Sequence, residues 1–357
     1  MAASEHRLAF ERPIYELEAR LEKLETKVEQ TPEVRNEIRL LRRELADVTR
    51  KIYANLRPWE TVEVARHPDR PMTTDYLELV FDEFVELHGD KFFGDDRAIR
   101  VGWAKLDAYK LMVIGHQKGK TLKERSACNY GYAHPEGYRK AISKMRLAAK
   151  FDMPVICLID TGGAYPGIGA EERGQAQVIA SSMFEMSRLP TPIVCVVIGE
   201  GGSGGALGIG VGDRVAMLEH AYYSVISPEG CAGILWKSHT FKEQAAEALK
   251  MTSRDLFQLG IIDDVIPEPL GGAHRDPHLM ASRLKFYLRS ALRELSGKPV
   301  EQLLQHRYEK FRRIGVFLEP AATETAHADG QPHGVAGTPH CQPAIEPQPA
   351  NDSIEPV

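Results

Sequence analysis

Cysteine is scarce in this sequence, and the cysteines that are present lie far apart. The chain of 357 residues has 5 of them, with no CxxC pair: Cys128, Cys157, Cys195, Cys231 and Cys341. A disulfide scaffold or a zinc ribbon needs closely and regularly spaced cysteines. We therefore expect reduced, mostly structural thiols and no metal site.

A long apolar run and an excess of positive charge are also missing. No apolar run reaches the roughly 18 residues that indicate a membrane span, and the opening residues MAASEHRLAFERP lack the apolar core of a secretory signal. The 45 basic residues are outnumbered by 50 acidic ones, for a net charge of −5, which disfavours binding to duplex nucleic acid. We expect a cytoplasmic protein with neither a membrane nor nucleic acid as its primary ligand.

The N-terminal region carries two helical patterns in a chain of otherwise ordinary globular composition. Apolar residues recur at steps of three and four over residues 14–28 and again over 34–52, which predicts two heptad-patterned helices. Thr31 and Pro32 suit the start of the second helix, so residues 1–60 should form an antiparallel helical hairpin. Its function would be packing or assembly.

The middle of the chain, residues 61–319, alternates predicted helices and strands. A helix with one buried face is predicted from about Thr74 to Leu87. Apolar, β-rich runs predict strands at 110–116, 154–160, 192–199 and 222–228, and helical patterns lie at 137–151, 171–188 and 204–212. This alternation is typical of a layered α/β fold, in which functional loops follow the strands.

Residues 320–357 form a third region with almost no apolar bulk. The segment is rich in Pro, Ala, Gly and polar residues, which predicts a disordered tail. Its potential metal ligands are irregularly spaced, unlike those of a zinc module, so no metal site is predicted there. They are His327, His333, His340 and Cys341.

Two glycine-rich segments each follow an apolar strand and precede a helix-like run. The first turn is DTGGAYPGIGA, residues 160–170, and the second turn is GEGGSGGA, residues 199–206. Glycine leaves the backbone uncovered, so free N–H groups can point at developing negative charge at the start of a helix. Together the turns suit an oxyanion hole with one N–H from each. The residues that could line such a hole are Gly162, Gly163, Ala164 and Tyr165 of the first turn and Gly201, Gly202, Ser203, Gly204 and Gly205 of the second.

The second turn also fits two other motifs. Residues 201–205 match G-x-S-x-G, which would make Ser203 an acyl-enzyme nucleophile. A G-x-G-x-x-G pattern starts at Gly199, but it does not open a first βαβ unit and no clear ribose-binding acid follows, so dinucleotide binding is disfavoured. The base for the nucleophile would be a downstream histidine: His220, His239 or His274.

Charged residues beside the turns leave further alternatives open. Glu200 or Glu229 could act as the acid or base of a self-sufficient acyl-CoA hydratase or hydrolase, although loop carboxylates beside glycines more often stabilise turns and caps. A non-enzymatic scaffold is a third alternative, against which the intact glycine turns argue. A nearby basic run could meet phosphates or a carrier, but a solvated loop explains it at least as well, and we do not place it in the site. That run consists of Lys118, Lys120, Lys123 and Arg125.

Several longer motifs accompany the two turns. They are GHQKGK (115–120), PEGYRKA (135–141), AEERGQ (170–175), VISPEGCAGILWKS (225–238) and VIPEPLGGAHR (265–275). With ERPIYELE, RHPDRP and FDEFVELHGD, they make the chain resemble the alpha subunits of bacterial acetyl-CoA carboxylase carboxyltransferase from about Phe10 to Gly315. One departure is Gly162, which stands where that family usually has proline.

The resemblance implies an α/β, crotonase-like (ClpP/crotonase) fold of repeated ββα units behind an N-terminal antiparallel helical hairpin. It also implies a heterotetramer of two alpha and two beta subunits, with each active site between an alpha and a beta subunit and zinc on the beta subunit alone. The further partners would be the biotin carboxyl carrier protein, biotin carboxylase and acetyl-CoA. ATP binding and nucleotide binding are implied as well.

The resemblance also implies a reaction. No cofactor would be bound covalently, because carboxybiotin on the carrier protein is a substrate. Amides around Gly204 and Gly205, helped by Gly163 and Ala164, would stabilise the biotin enolate that remains when carboxybiotin releases CO2. That enolate would take a proton from the thioester methyl group, and the acetyl-CoA enolate would attack CO2 to give malonyl-CoA, in the first committed step of fatty acid biosynthesis. The resemblance thus makes Gly204, Gly205, Gly163 and Ala164 the candidate catalytic residues, and Gly162, Tyr165, Gly201, Gly202 and Ser203 the candidate substrate-binding residues. Ser203 would then be a loop residue rather than a nucleophile.

Overall fold

The computed structural model describes residues 6–27, 29 and 31–315, which contain an eight-stranded mixed sheet surrounded by helices. The strands are β1 (Glu83–Glu86), β2 (Ile99–Leu106), β3 (Tyr109–His116), β4 (Val155–Thr161), β5 (Ile193–Gly202), β6 (Arg214–Leu218), β7 (Tyr222–Ser224) and β8 (Asp264–Ile266). The helices are α1 (Arg12–Glu25), α2 (Pro32–Tyr53), α3 (Pro58–Ala65), α4 (Thr73–Val80), α5 (Leu122–Ala127), α6 (Pro135–Lys150), α7 (Ile168–Glu172), α8 (Gln175–Arg188), α9 (Ser203–Leu207), α10 (Pro228–Trp236), α11 (Lys242–Leu249), α12 (Ser253–Gln258), α13 (Pro277–Leu295) and α14 (Val300–Arg312). Across these ranges, no helix combines the length and the apolar character that a membrane crossing requires.

The sheet order positions the glycine turns. Neighbours along the sheet follow β1-β2-β3-β4-β5-β6-β8, and β7 pairs with the end of β5. Strand β2 runs antiparallel to both of its neighbours, β1 and β3, whereas β3, β4, β5 and β6 run parallel. Every residue of β4 is buried, as the continuous apolar run predicts for a central parallel strand. Because parallel strands end at the same edge, the segments after β3, β4 and β5 meet there.

The predicted N-terminal helices are confirmed. Helices α1 and α2 pack through an apolar seam, and Thr31 accepts a hydrogen bond from the N–H of Val34 at 3.4 Å, as a capping residue should. Arg275, from the loop before α13, bonds Glu11 and Glu18 and so ties this pair to the rest of the fold. Val28, part of the first pattern, and the tail predicted for 320–357 lie outside the described residues. The division of the chain at residues 60 and 319 stays a prediction.

Four predicted elements differ from the structure. The helix predicted for 171–188 is interrupted at Gly174, whose φ of +81° is left-handed, so α7 and α8 are separate helices. The helix predicted to reach Leu87 ends at Val80, and residues 83–86 form an edge strand because their backbone pairs with β2. The helix predicted for 204–212 stops at Leu207, where a run of glycines with low helix propensity begins. The strand predicted for 222–228 ends at Ser224, because the Ser227 side chain caps α10 and Pro228 opens it. The sequence patterns also missed β2, β6 and β8.

A buried ion pair between Arg70 and Glu268 makes the stability of the fold depend on pH. Burial alone would raise the pKa of Glu268, but Arg70, with Nη2 2.5 Å from one carboxylate oxygen, lowers that pKa to about 2. A lowered folded-state pKa stabilises the protein above the unfolded value, and the stabilisation is lost as the pH falls towards about 2. We expect the free energy of unfolding, measured with urea, to drop by on the order of 2–3 kcal/mol between about pH 5 and about pH 2.5 through this group.

Glu268→Gln isolates that contribution. It should lower the stability at neutral pH, because Arg70 is left buried without a carboxylate, and it should flatten the acid limb of the profile. Glu78→Gln on the exposed face of α4 is the matched control and should leave the profile unchanged. An acid limb as steep in Glu268→Gln as in the unaltered protein would assign the pH dependence to other carboxylates.

Candidate functional site

The two glycine turns lie against each other, backbone to backbone. Thr161 at the end of β4 pairs with Gly201 near the end of β5, so the following residues start side by side. A Cβ on Gly202 would come closer than 3.0 Å to the carbonyl of Gly162, and one on Gly205 would lie 2.5 Å from the amide nitrogen of Ala164. No other residue type fits there without moving one turn. The structure therefore brings together the two segments that the sequence singled out.

The contact leaves backbone N–H groups without a protein acceptor among the described residues. Gly204 and Gly205 are the second and third residues of α9, where an N–H has no partner within the helix. Among the described residues, neither they nor Ala164 donate to a protein acceptor. Gly163, in contrast, donates its N–H to the Thr161 hydroxyl at 3.1 Å. Of the four candidate catalytic residues, three thus present a free amide, and Gly163 instead provides space for Gly205.

Gly204 differs from its neighbours because packing does not require a glycine there. A Cβ on Gly204 would meet only Ile179, at 3.7 and 3.8 Å, which is ordinary contact distance, and the position is half-buried. The bare backbone at Gly204 therefore has no steric explanation within the described part of the chain. A ligand that must reach the Gly204 N–H would provide a physical reason for glycine at this position.

The first turn is held by aromatic neighbours. The ring of Tyr165 stacks on that of His134, with the centroids 4.0 Å apart, and its backbone N–H donates to the carbonyl of Ala133. A Cβ on Gly162 would come within 2.6 Å of the Tyr132 hydroxyl. Tyr132 thus occupies the space that a side chain at position 162 would need.

Ser203 has the strained backbone of a nucleophile elbow but lacks a base. Its φ is +51°, unusual for a residue other than glycine. The three candidate histidines are engaged elsewhere: His220 packs on Tyr53 with centroids 5.3 Å apart, Nδ1 of His239 lies 3.0 Å from the carbonyl oxygen of Glu229, and His274 stacks on His67 at 4.1 Å. No described histidine bonds the Ser203 hydroxyl, so the arrangement does not support a catalytic triad.

A cluster of charged side chains, the ionic cluster, lies at the bases of the two turns. Its members are Arg66, Lys118, Asp160, Glu200 and Glu229. The solvated-loop interpretation was wrong for Lys118, whose side chain is only 16% exposed and bonds both Asp160 and Glu200. Lys120, by comparison, is exposed and pairs with Asp75. Sequence reasoning missed the cluster because its members are widely separated along the chain, although all five stand within quoted motifs: RHPDRP, GHQKGK, DTGGAYPGIGA, GEGGSGGA and VISPEGCAGILWKS.

Glu200 is an ion-pair partner rather than a proton-transfer group. Burial alone would raise its pKa, but Lys118 and Arg66 lower the pKa of Glu200 to about 2. A general acid or base works best with a pKa near the working pH, which this carboxylate does not have. Glu229 also bonds Arg66, at 2.6 Å. The geometry thus gives no support to a hydratase that uses Glu200.

Neither the cavity beside β8 nor any set of metal ligands identifies another functional site among the described residues. A cavity of about 740 Å³ lies beside β8 and α13, away from the glycine turns, and its lining includes Arg214, Asp264, Phe286 and Tyr287. Within residues 6–27, 29 and 31–315, no group of three or more His, Cys, Asp or Glu side chains is arranged to hold a metal ion. The convergent feature of this chain is therefore the pair of glycine turns with the ionic cluster beneath it.

Comparison with known sequences agrees with these motifs. Residues 7–315 match the family model described as acetyl co-enzyme A carboxylase carboxyltransferase-like. The chain is 65% identical to the acetyl-coenzyme A carboxylase carboxyl transferase subunit alpha of Rhodopirellula baltica over 312 residues, which is 87% of this chain and 98% of the relative. It is 54% identical to the subunit of the same name from Methylococcus capsulatus over 315 residues, 88% of this chain and 98% of the relative.

Solved structures share the fold at low sequence identity. A crystal structure of transcarboxylase 12S superimposes with a TM-score of 0.53 at 18% identity, over 64% of this chain and 43% of that one. The beta subunit of geranyl-CoA carboxylase from P. aeruginosa gives a TM-score of 0.51 at 17% identity, over 69% of this chain and 46% of that one. The chain spans less than half the length of these two structures. The crotonase-like fold expected from the sequence is thereby confirmed.

Proposed function

The chain belongs to the acetyl-CoA carboxylase carboxyltransferase family, as an alpha-type subunit, and on that basis we propose that its two glycine turns bind the ureido oxygen of biotin during carboxyl transfer. The family reaction moves a carboxyl group from carboxybiotin to acetyl-CoA and yields malonyl-CoA. The free amides of Gly204, Gly205 and Ala164, at the junction of the two turns, are the observation that carries the assignment.

The proposed chemistry needs hydrogen-bond donors rather than a nucleophile. When the C–N bond of carboxybiotin breaks, CO2 leaves and the electron pair remains on the ureido group as an enolate. Amides held by rigid backbone at the start of α9 can stabilise that oxygen without reorganising. The enolate then removes a proton from the thioester methyl group, and the new carbanion attacks CO2. In this scheme Gly201, Gly202, Ser203, Gly162 and Tyr165 shape the binding surface around the donors.

We propose that the site is completed by a beta-type carboxyltransferase subunit in an alpha2-beta2 assembly. Exposed apolar side chains on the elements that flank the turns support a partner surface. They are Ile168 on α7, Leu207 on α9, and Ile234, Leu235 and Trp236 on α10. The partner would contribute most of the acyl-CoA pocket and would carry the zinc. Biotin would arrive on the biotin carboxyl carrier protein after its carboxylation by biotin carboxylase, in the cytoplasm; ATP binding has no support in this chain.

The reverse reaction tests this assignment. Malonyl-CoA-dependent carboxylation of a free biotin derivative should be measured with this chain alone, with a beta-type subunit alone and with their mixture. We expect turnover only in the mixture, because this chain supplies donors for biotin while the partner supplies the acyl-CoA pocket.

Each of the other outcomes would reject a specific part of the proposal. Turnover by this chain alone would reject the obligate partner, and turnover by the partner alone would reject a catalytic role for the two turns. Silence of a mixture that forms the heteromer on a sizing column would overturn the carboxyltransferase assignment and reopen the hydratase and scaffold alternatives.

A further inference from the structure

Lys118 reaches from one strand to the bases of both glycine turns. It follows β3 by two residues and lies at the edge of the sheet where β4 and β5 also end. Its Nζ is 2.6 Å from a carboxylate oxygen of Asp160 and 2.6 Å from one of Glu200. Asp160 is the first residue of the first turn, and Glu200 is the second residue of the second turn. One ammonium group thus joins the two turns.

The Lys118 bridge lies where regular pairing between β4 and β5 no longer fixes the distance between the two turns. Regular pairing of β4 with β5 runs to Ile159 and Val197 and resumes at Thr161 and Gly201, so Asp160 alone faces three residues of β5. Backbone groups in this irregular stretch are bonded by side chains instead. Asp160 accepts the N–H of Glu200 at 2.9 Å, and Arg70 donates to the carbonyl of Ile198 at 2.8 Å. The relative position of the turns therefore depends on side-chain contacts.

The ionic cluster holds Glu200 from its other side as well. Arg66 donates to Glu200 at 2.6 Å and to Glu229 at 2.6 Å, and the Tyr222 hydroxyl lies 2.5 Å from the same oxygen of Glu200. Burial alone would lower the pKa of Lys118, but Asp160 and Glu200 raise it above its ordinary value, so the bridge stays charged. The cluster contains two cations and three carboxylates, so removal of Lys118 leaves the carboxylates with a single cation.

We propose that Lys118 is a positioning residue for carboxyl transfer, which sets the separation of the amide of Ala164 from those of Gly204 and Gly205 by bridging Asp160 and Glu200. This inference rests on the function proposed above. Lys118 acts through the two carboxylates and touches no reacting atom. A displacement of about 1 Å between the donors is enough to cost roughly 10²-fold in rate.

Lys118→Met tests the bridge in the assembled heteromer, by the reverse reaction with malonyl-CoA and free biotin. We expect kcat to fall about 10²-fold, with the KM for malonyl-CoA changed less than about twofold, because the acyl-CoA pocket is assigned to the partner. Lys118→Arg keeps the charge with a different donor geometry and should recover part of the loss. Lys123→Met, exposed on α5 five residues further along the chain, is the control and should leave kcat unchanged.

A double variant separates positioning from simple stabilisation. Lys118→Met/Glu200→Gln has the net charge of the original cluster, so its melting temperature should recover relative to Lys118→Met while kcat stays low. Recovery of kcat together with the melting temperature would show that Lys118 only stabilises the fold. Full turnover by Lys118→Met would also overturn the positioning role. Both of these results require that the unaltered heteromer is active. If the unaltered heteromer is inactive, the function proposed above is rejected instead.

Discussion

Gly204→Val is expected to abolish carboxyl transfer in the mixture while the heteromer still forms. A Cβ at this position meets only Ile179 at normal contact distances, so the protein can accommodate a side chain there. The branched methyl groups would project beside the free amides of Gly204 and Gly205, where we propose that the ureido oxygen binds. The loss of a single oxyanion donor costs about 10² to 10³ in kcat, and a side chain that blocks access to both donors should cost at least that much. The measurement is reverse-reaction kcat, with assembly checked on a sizing column.

Two neighbouring substitutions make this result interpretable. Gly204→Ala adds a Cβ at the same backbone position but no branched methyl groups, so it should keep a larger share of the activity than the valine variant. Gly205→Ala should lose both activity and stability, because its Cβ would lie 2.5 Å from the backbone nitrogen of Ala164 and push the turns apart. Full turnover in an assembled Gly204→Val variant would defeat the oxyanion assignment.

Arg307→Met should cause the largest loss of stability from a single substitution outside the site. The guanidinium of Arg307 is fully buried on α14 and bonds both oxygens of Asp213, at 2.7 and 2.8 Å. It also donates to the backbone carbonyls of Met186, Leu189 and Thr191. Methionine would leave a buried carboxylate without its cation and three carbonyls without this donor. We expect a loss of about 3–5 kcal/mol in the free energy of unfolding, measured with urea at neutral pH.

Arg313→Met, just beyond the end of the same helix, is the control. Its side chain is 77% exposed and pairs only with Glu309 one turn earlier, so the change should stay within about 0.5 kcal/mol. Adding Asp213→Asn to Arg307→Met removes the unpaired charge and should recover part of the stability. A loss below about 1 kcal/mol in Arg307→Met would show that α14 contributes little to the cooperative fold.

Local sequence patterns were sufficient to predict a helix, strand or turn when the residues of that element alone show its periodicity or motif. The spacing of apolar residues predicted α1 and α2, Thr31 predicted the cap, and the apolar runs predicted β3, β4 and β5 to within a few residues. The edge strand β1 was mistaken for a helix, because its apolar residues also fit a helical spacing and only pairing with β2 decides between the two. Strands β2, β6 and β8, which are short or amphipathic, were missed because their own sequences do not show which strands they pair with.

The sequence by itself determined the family and the positions of the two turns, because glycine after an apolar strand leaves the backbone without a covering side chain. Only the tertiary structure decided which amides are free, since the Thr161 hydroxyl takes that of Gly163 and leaves those of Ala164, Gly204 and Gly205. It also decided the contacts of Lys118, for which a solvated basic run was one interpretation of the sequence. A buried ion pair forms between residues distant along the chain, and parallel strands that end at one edge bring Lys118, Asp160 and Glu200 to the same place.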